Sequence, residues 1–205
     1  MKEDKVREIK QSFRLLMNGV IAQSMRDKGM DYHVNWGASL MHLREMANEY
    51  EQDIELASAL WKENVRECKI LATMLMPCSE LRKETAMQWI KDTHTQEIAE
   101  IAAMNLYQYL PYAAEMAVML IQDEDDMVRM QGYNILARLF RNGERSVDGN
   151  VTAAFVENVC EALQSENIAV KHSAWNAVVK YADMDEQCRA IAKKSLMKIK
   201  KDDWL

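Results

Sequence analysis

The sequence has 205 residues, of which 49% are hydrophobic and 28% are charged, and its formal net charge is −6 at pH 7. No stretch of 18 apolar residues occurs, which excludes a membrane span, and the charged N-terminus lacks the apolar core of a secretory signal. The net negative charge excludes a protein that binds nucleic acid with its whole surface, but it does not exclude a single basic stripe.

Turn-forming residues are scarce, since the chain has only six glycines and two prolines. Sheets and hairpins need such residues, so the composition predicts an all-α chain with tight connections between helices. The four cysteines and four histidines show no metal-ligand spacing. We therefore expect free thiols in a reducing cytoplasm, and neither a metal ion nor a cofactor.

The first predicted helical segment covers residues 3–28. Val6, Ile9, Phe13 and Leu16 recur at helical spacing, and Gly19 marks a bend or a break between two helices. Residues 29–37 then form a predicted loop.

Three short helices are predicted between Ser39 and Met76, each with its own apolar stripe. Asp53 is a predicted N-cap of the second helix. Asn64 and Glu67 together match the capping-box pattern at the start of the third helix, and Pro77 lies just beyond its end.

The remaining chain continues the same pattern. Ser79 and Thr95 are predicted N-caps of the next two helices, which extend to about Thr93 and Leu110, and Pro111 is placed at the start of another. A longer helix follows the acidic run 123–126 and ends at Asn142–Gly143. Residues 144–150 form a polar loop, and three helices follow at about 151–164, 167–182 and 185–201. The tail KKDDWL is expected to fray unless Trp204 docks.

Three motifs in the 39–76 stretch carry a resemblance to a known family. They are LxxLRxMAxxY from Leu40, ELAxxLW from Glu55 and RExxxLAxxLM from Arg66. In this order and spacing they resemble the DNA alkylation repair family, the AlkD-like glycosylases built from HEAT-like repeats, and weaker similarity continues to about Ala182. The resemblance implies a core of about 30–182.

Periodicity, composition and the resemblance together predict the fold. We expect eleven or twelve helices in antiparallel HEAT/ARM-like pairs, arranged as an all-α, right-handed α-α superhelix. With no linker or low-complexity segment in the sequence, we expect a single domain over residues 1–205, and a monomer.

The resemblance also implies a site. Active members have a Trp followed four residues later by a catalytic Asp, which stabilises the developing sugar cation, with a second Trp and an Arg nearby. Trp89 matches the first Trp, but the Asp position holds Thr93. Asp92 is the nearest carboxylate and the candidate catalytic residue, although one position on a helix turns a side chain by about 100°.

The second Trp and the Arg of the family's active members are matched less closely in this sequence. Trp175 corresponds to the second Trp, and Arg129 is the nearest counterpart of the Arg, although aligning the run ILARL would put Gly132 there instead. The alternative for Trp89 and Trp175 is that they are ordinary core residues.

Several cations lie on segments that would fall at a similar depth in successive helix pairs. If they line one surface, they form a track for DNA phosphates; otherwise they belong to solvated faces, the alternative that also applies to Arg138, Arg141 and Arg145. The candidate DNA-binding cations are Arg66, Lys91, Arg129, Lys171 and Lys180.

The first hypothesis for function is a protein that binds double-stranded DNA, damaged or branched, and in which Thr93 puts base excision in doubt. The second is a scaffold for protein interactions, as many helical solenoids are. The third is an active glycosylase that uses Asp92 or Glu97.

Overall fold

The computed structural model describes residues 2–30, 32–143 and 147–199. Within these residues the secondary structure is helical apart from one isolated parallel β-bridge between Val34 and Val65. The predicted all-α class is therefore confirmed. The twelve α-helices of the described residues are α1 Lys2–Ser12, α2 Gly19–Asp27, α3 Leu40–Ala47, α4 Ile54–Lys62, α5 Arg66–Leu75, α6 Lys83–Lys91, α7 Gln96–Asn105, α8 Ala113–Ile121, α9 Asp126–Asn142, α10 Gly149–Ala162, α11 Ile168–Ala182 and α12 Glu186–Met197.

Most helix starts carry a side chain whose oxygen accepts a hydrogen bond from an N–H of the first turn. These bonds satisfy donors that the helix itself leaves unpaired. The predicted caps Asp53 and Thr95 are confirmed, since they accept from Leu56 and Ile98, respectively. Further caps of this kind are Asn18, Ser39, Asp125, Asp148, Asn167 and Asp185.

Two predicted caps are wrong. Helix α5 is preceded by Val65, which provides no side-chain cap, so Asn64 does not start it. Helix α6 begins at Lys83, four residues after Ser79, because residues 78–80 form a turn. In both cases a polar residue of the right type lies near a helix start but not directly before its first residue, which is the position that a cap requires.

Several predicted boundaries also shift or cannot be compared. Gly19 does separate two helices, with a short 3₁₀ turn at Phe13–Leu16 before it. Helix α7 ends at Asn105 rather than Leu110 and continues into a second 3₁₀ turn, Tyr107–Tyr109. The predictions for residues 144–146 and for the tail from Lys200, including Trp204, fall outside the described residues.

The chain divides into two compact units, Met1–Trp89 and Ile90–Leu205. The expectation of a single domain over residues 1–205 stays a prediction. In the first unit α4 packs against α1 and α5, and α3 packs against α5. Ile9 and Phe13 of the N-terminal segment and Leu60 of α4 are fully buried there.

The second unit is built as two layers of helices. One layer is α7, α9 and α11, in which α9 packs against both neighbours, and the other is α8, α10 and α12. Phe155 of α10 joins the layers through edge-on contacts with three rings of the other layer, with centroids 5.0–6.4 Å apart: Tyr133, Phe140 and Tyr181. Helix α9 ends, as predicted, at Gly143, whose φ of +63° is the left-handed conformation that glycine adopts without strain.

Candidate functional site

Helix α9 is buried for most of its length, so the polar residues on it are informative. Gln131, Asn134 and Arg138 are separated by three and four residues, which puts them on one face of the helix. The neighbouring helices α7 and α11 lie on either side of α9 in the same layer. This layer is therefore where the second unit brings polar side chains of three helices together.

Gln131, Asn134 and Arg138 form a row of polar residues along α9. Thr93, which occupies the position of the catalytic Asp in the family's active members, lies near one end of this row. Thr93 is only 2% exposed, and its N–H donates to the carbonyl of Ile90 at 3.2 Å. The side-chain amide of Gln131 donates to the same carbonyl at 3.0 Å and is itself fully buried. A neutral hydroxyl and a neutral amide thus occupy the place where the resemblance implies an acid.

Further along the row lies a cleft of about 200 Å³, here called the polar cleft, formed by Glu100, Asn134, Arg138, His172 and Asn176. Asn134 is 9% exposed, and its Nδ2 has no hydrogen-bond partner among the described residues. A buried amide donor without a partner costs free energy, so a rotation of the Asn134 side chain that brought this atom to an acceptor would be favourable. Glu100, His172 and Asn176 are exposed and keep the cleft open to solvent.

Charges of both signs meet in the polar cleft. Burial lowers the pKa of Arg138, and the adjacent Arg141 lowers it further, whereas the carboxylate of Glu100 opposes both effects. Glu100 also accepts a hydrogen bond from Gln96 at 2.7 Å, one turn earlier on α7. The cleft therefore offers a cation and a carboxylate to one ligand, and an unpaired amide donor is buried in its wall.

Asp92, the candidate catalytic residue, follows directly after α6 and is half-buried. Burial raises the pKa of Tyr107, and the nearby Asp92 carboxylate is the second cause of that shift. Asp92 therefore lies close to a fully buried tyrosine, and its catalytic role stays a prediction.

The two candidate tryptophans have different environments. Trp89 is 4% exposed and stacks on Trp61, with ring centroids 4.2 Å apart and planes 4° from parallel. The Lys69 ammonium lies over the other indole, 4.4 Å from the centroid of Trp61. Trp175 is half-buried on α11, three residues after His172 and so on the same side of that helix. Trp89 follows the core alternative, whereas Trp175 is partly accessible.

Arg66 does not lie on a surface track, and this part of the prediction is corrected. It is 3% exposed, and its Nη1 donates to Glu67 at 3.0 Å and to the carbonyl of Ala38 at 2.9 Å. Glu67 is fully buried and also accepts from the N–H groups of Trp36 and Ala38 at 3.2 Å. The ion pair holds the 36–38 segment against α5, since each charge is satisfied internally.

The other candidate cations differ in exposure and in whether a carboxylate lies beside them. Arg129 bonds to Asp126 at 2.7 Å and to Glu161 at 3.4 Å, so two carboxylates already neutralise it. Lys180 lies 3.9 Å from Asp183. Lys91 is exposed at the end of α6, and Lys171 is half-buried on α11. These two lysines are the candidates with the fewest constraints on their charge.

Gly132, the alternative position for the family arginine, faces away from the polar cleft. A Cβ at this position would lie 2.8 Å from the backbone nitrogen and side chain of Ile121 and from the side chain of Leu120. The glycine is required for the close approach of α8 and α9, so no side chain fits there.

Sequence reasoning did not single out Asn134, His172 or Asn176, and it grouped Arg138 with a solvated face. A signal was present in α9, where polar residues at 131, 134 and 138 interrupt an otherwise apolar helix. Nothing in the sequence indicated that α7 and α11 would add polar residues to the same row.

The described part of the chain has neither a cluster of metal ligands nor a membrane-spanning helix. No group of three or more His, Cys, Asp or Glu side chains is arranged there to hold a metal ion. None of the helices in these residues has the length and apolar character needed to cross a bilayer.

Comparison with known proteins identifies one family. Residues 9–164 match the family described as DNA alkylation repair enzyme. A solved structure described as "a new family of proteins related to the HEAT-like repeat DNA glycosylases with affinity for branched DNA structures" superimposes with a TM-score of 0.83. It shares 14% sequence identity and covers 92% of this chain and 80% of its own. No curated protein matches the sequence. The predicted HEAT-like fold and the suspected family are both confirmed.

Proposed function

We propose that this chain, which belongs to the DNA alkylation repair enzyme family, binds double-stranded DNA through the layer of α7, α9 and α11, prefers branched or distorted duplexes, and does not excise bases. The family match over residues 9–164 is the observation that carries the DNA-binding part. The surface chemistry of this layer and the state of the Thr93 position support the rest.

The cations of the second unit support phosphate binding. Lysine and arginine side chains bind DNA mainly by neutralising phosphates and releasing counterions. Lys91 and Lys171 retain accessible charge, and Arg138 lies at the polar cleft. Arg129 is a weaker candidate because it must first give up Asp126 or Glu161. We therefore assign the phosphate contacts to Lys91 and Lys171, with Arg129 and Lys180 as secondary contacts, and leave Arg138 to the polar cleft that it lines.

The absence of base excision rests on Thr93. A threonine hydroxyl carries no charge with which to stabilise an oxocarbenium-like transition state. The residue is also buried, and Gln131 donates to the carbonyl that Thr93 itself uses. Trp89, which matches the first Trp of the family's active members, stacks on Trp61. The neutral, buried side chains of Thr93 and Gln131 support the absence of excision.

The preference for branched or distorted DNA is supported by the structural neighbour. That protein is described as having affinity for branched DNA structures and as related to the glycosylases. At 14% identity the likeness establishes the fold, and the shared preference is our proposal. Trp175 would provide a stacking surface for a base that is unpaired at a branch.

Fluorescence anisotropy with labelled oligonucleotides tests DNA binding. We expect micromolar or tighter binding to plain duplex at about 50 mM salt, tighter binding to a three-way junction of the same length, and steep weakening with added salt. No binding at micromolar protein to either DNA would overturn the proposal. Equal affinity for the two DNAs would remove the preference for branches and leave the binding.

Base release from methylated DNA tests the absence of excision. We expect no 7-methylguanine to appear with the protein in excess over lesions. Release that is lost in Asp92→Asn would establish the glycosylase alternative, and release lost in Glu97→Gln would assign the reaction to Glu97. Thr93→Asp is the complementary variant, in which we expect no gain because the side chain is buried.

The scaffold alternative is favoured by one observation in the first unit. Large apolar side chains are exposed around α2, where they could contact a protein partner. They are Leu15, Met17 and Val20. Replacing Leu15 and Val20 with serine distinguishes DNA binding from a scaffold role. DNA affinity should not change in this variant, whereas a protein interaction through these side chains would weaken.

A further inference from the structure

The polar cleft contains both a hydrogen-bond acceptor and hydrogen-bond donors. The Glu100 carboxylate accepts only, whereas Arg138 and the unpaired Nδ2 of Asn134 donate. A phosphate presents acceptors on every side, so its charge would be repelled by Glu100. The edge of a nucleobase differs because it places donors and acceptors side by side. The mixed chemistry of the cleft therefore matches a base better than the DNA backbone.

The size and exposure of the cleft agree with this occupant. At about 200 Å³ it is smaller than the roughly 300–1,000 Å³ of pockets that enclose whole small molecules. A cleft of this size accommodates one edge of a group that is presented by a larger molecule. Its rim residues Glu100, His172 and Asn176 are exposed, so a base that is already out of the stack can reach it.

The acceptor in the cleft distinguishes among the four bases. A carboxylate pairs best with two adjacent N–H donors, and guanine alone presents them in DNA, at N1 and N2 of its Watson–Crick edge. The adjacent O6 of guanine is an acceptor, which matches Nδ2 of Asn134 or the guanidinium of Arg138. Adenine, cytosine and thymine each have a single donor group on this edge with an acceptor beside it. That acceptor would face an oxygen of the Glu100 carboxylate, which also only accepts.

We propose that the polar cleft binds an unpaired guanine, with Glu100 accepting from its N1–H and N2–H groups and Asn134 or Arg138 donating to O6. This inference rests on the proposed function, since it assigns the base-specific contact within the same DNA-binding layer. It adds a preference for one base to binding that is otherwise directed by phosphates and DNA shape. The Asn134 amide, which lacks a partner among the described residues, would then gain one.

The test uses duplexes that carry one unpaired nucleotide, which is dG, deoxyinosine, dA or dT, together with a plain duplex and a three-way junction. In anisotropy titrations we expect the dG bulge to bind about tenfold more tightly than the dA and dT bulges. Deoxyinosine lacks the N2 amino group and should fall between them. The variants are Glu100→Gln and Asn134→Ala, with Glu157→Gln on α10 as the control, because it removes one exposed carboxylate from the other layer.

We expect Glu100→Gln and Asn134→Ala to reduce the preference for dG to less than about twofold, and the control to retain it. Affinity of Glu100→Gln for plain duplex should match that of the control, because both lose one negative charge. Equal binding of dG, dA and dT bulges by the wild type would overturn the guanine proposal while binding of the junction preserves the proposed function. Failure to bind any of these DNAs would overturn both.

Discussion

One arginine and one tryptophan in each compact unit were candidates for DNA binding, and the two pairs differ in burial. In the first unit, Arg66 is buried in an ion pair and Trp89 is stacked inside the unit on Trp61. In the second unit, Arg138 lines an open cleft and Trp175 is only half-buried. The two pairs of residues therefore differ in how far they are buried within their own units.

The difference shows why a matched motif does not identify a functional residue. Arg66 and Trp89 lie in or near the motifs that carry the family resemblance, yet their polar and aromatic groups are satisfied internally. Arg138 lies outside those motifs and keeps part of its charge accessible. Partner atoms and burial decide which arginine can contact DNA, because a guanidinium that is already paired in the interior must be desolvated and released before it can bind again.

Arg66→Met gives the largest expected effect. It leaves the Glu67 carboxylate buried without its cation, and we expect the free energy of unfolding to fall by about 3–5 kcal/mol in urea titrations. The matched variant Arg138→Met removes a partly exposed charge and should cost less than about 1 kcal/mol. DNA affinity should change in the reverse order, weakening in Arg138→Met and not in folded Arg66→Met. A stable Arg66→Met protein with weakened DNA binding would restore Arg66 to the phosphate track.

Gly132→Ala gives the next largest effect and tests why α9 has no side chain at this position. The new Cβ would lie 2.8 Å from the backbone nitrogen of Ile121, which cannot move without separating α8 from α9. We expect a loss of about 1–3 kcal/mol in the free energy of unfolding. Gly149→Ala is the control, because its Cβ would meet nothing within 4 Å. A neutral Gly132→Ala variant would show that α8 and α9 are less closely packed than the structure indicates.

The features that follow from local sequence were predictable. Helical class, the break at Gly19, the caps at Asp53 and Thr95 and the end at Gly143 each depend on a few neighbouring residues. The false cap at Asn64 shows the limit, since Glu67 in the same pattern binds the N–H groups of Trp36 and Ala38 instead. That outcome depends on a segment about thirty residues earlier in the chain, which no local pattern contains.

The candidate site was predictable only where the family resemblance supplied positions. It pointed to Trp89 and to the missing acid at Thr93, and both positions proved to be buried. The polar cleft is formed by residues of three helices, and more than thirty positions separate Glu100 from Asn134 and Arg138 from His172. Their meeting depends on the packing register of α7, α9 and α11, which the spacing of polar residues within one helix does not determine.

The stacked indoles of Trp61 and Trp89 are expected to contribute less to stability, and measuring their coupling tests whether Trp89 is a structural residue of the first unit. In a double-mutant cycle of Trp61→Leu and Trp89→Leu, we expect a coupling of about 0.5–1.5 kcal/mol in the free energy of unfolding. A second cycle of Trp61→Leu with Lys69→Met should give about 0.5–1 kcal/mol from the cation over the ring. Additive losses in the first cycle would mean that the indoles do not stack in solution and that Trp89 is free for another role.

Lys171→Ala gives the smallest expected effect, a change in the salt dependence of DNA affinity, and it tests a phosphate contact most directly. Each phosphate that a protein neutralises contributes about 0.9 to the slope of log affinity against log salt concentration for duplex DNA. We therefore expect the slope for the Lys171→Ala protein to be shallower by about 0.9, measured by anisotropy between about 50 and 200 mM salt. Lys62→Ala is the control, because Lys62 is an exposed lysine at the end of α4 in the first unit and loses the same charge. If both variants shift the slope equally, the lysines act through net charge alone, and the contrast between a structural unit and a DNA-binding unit does not hold.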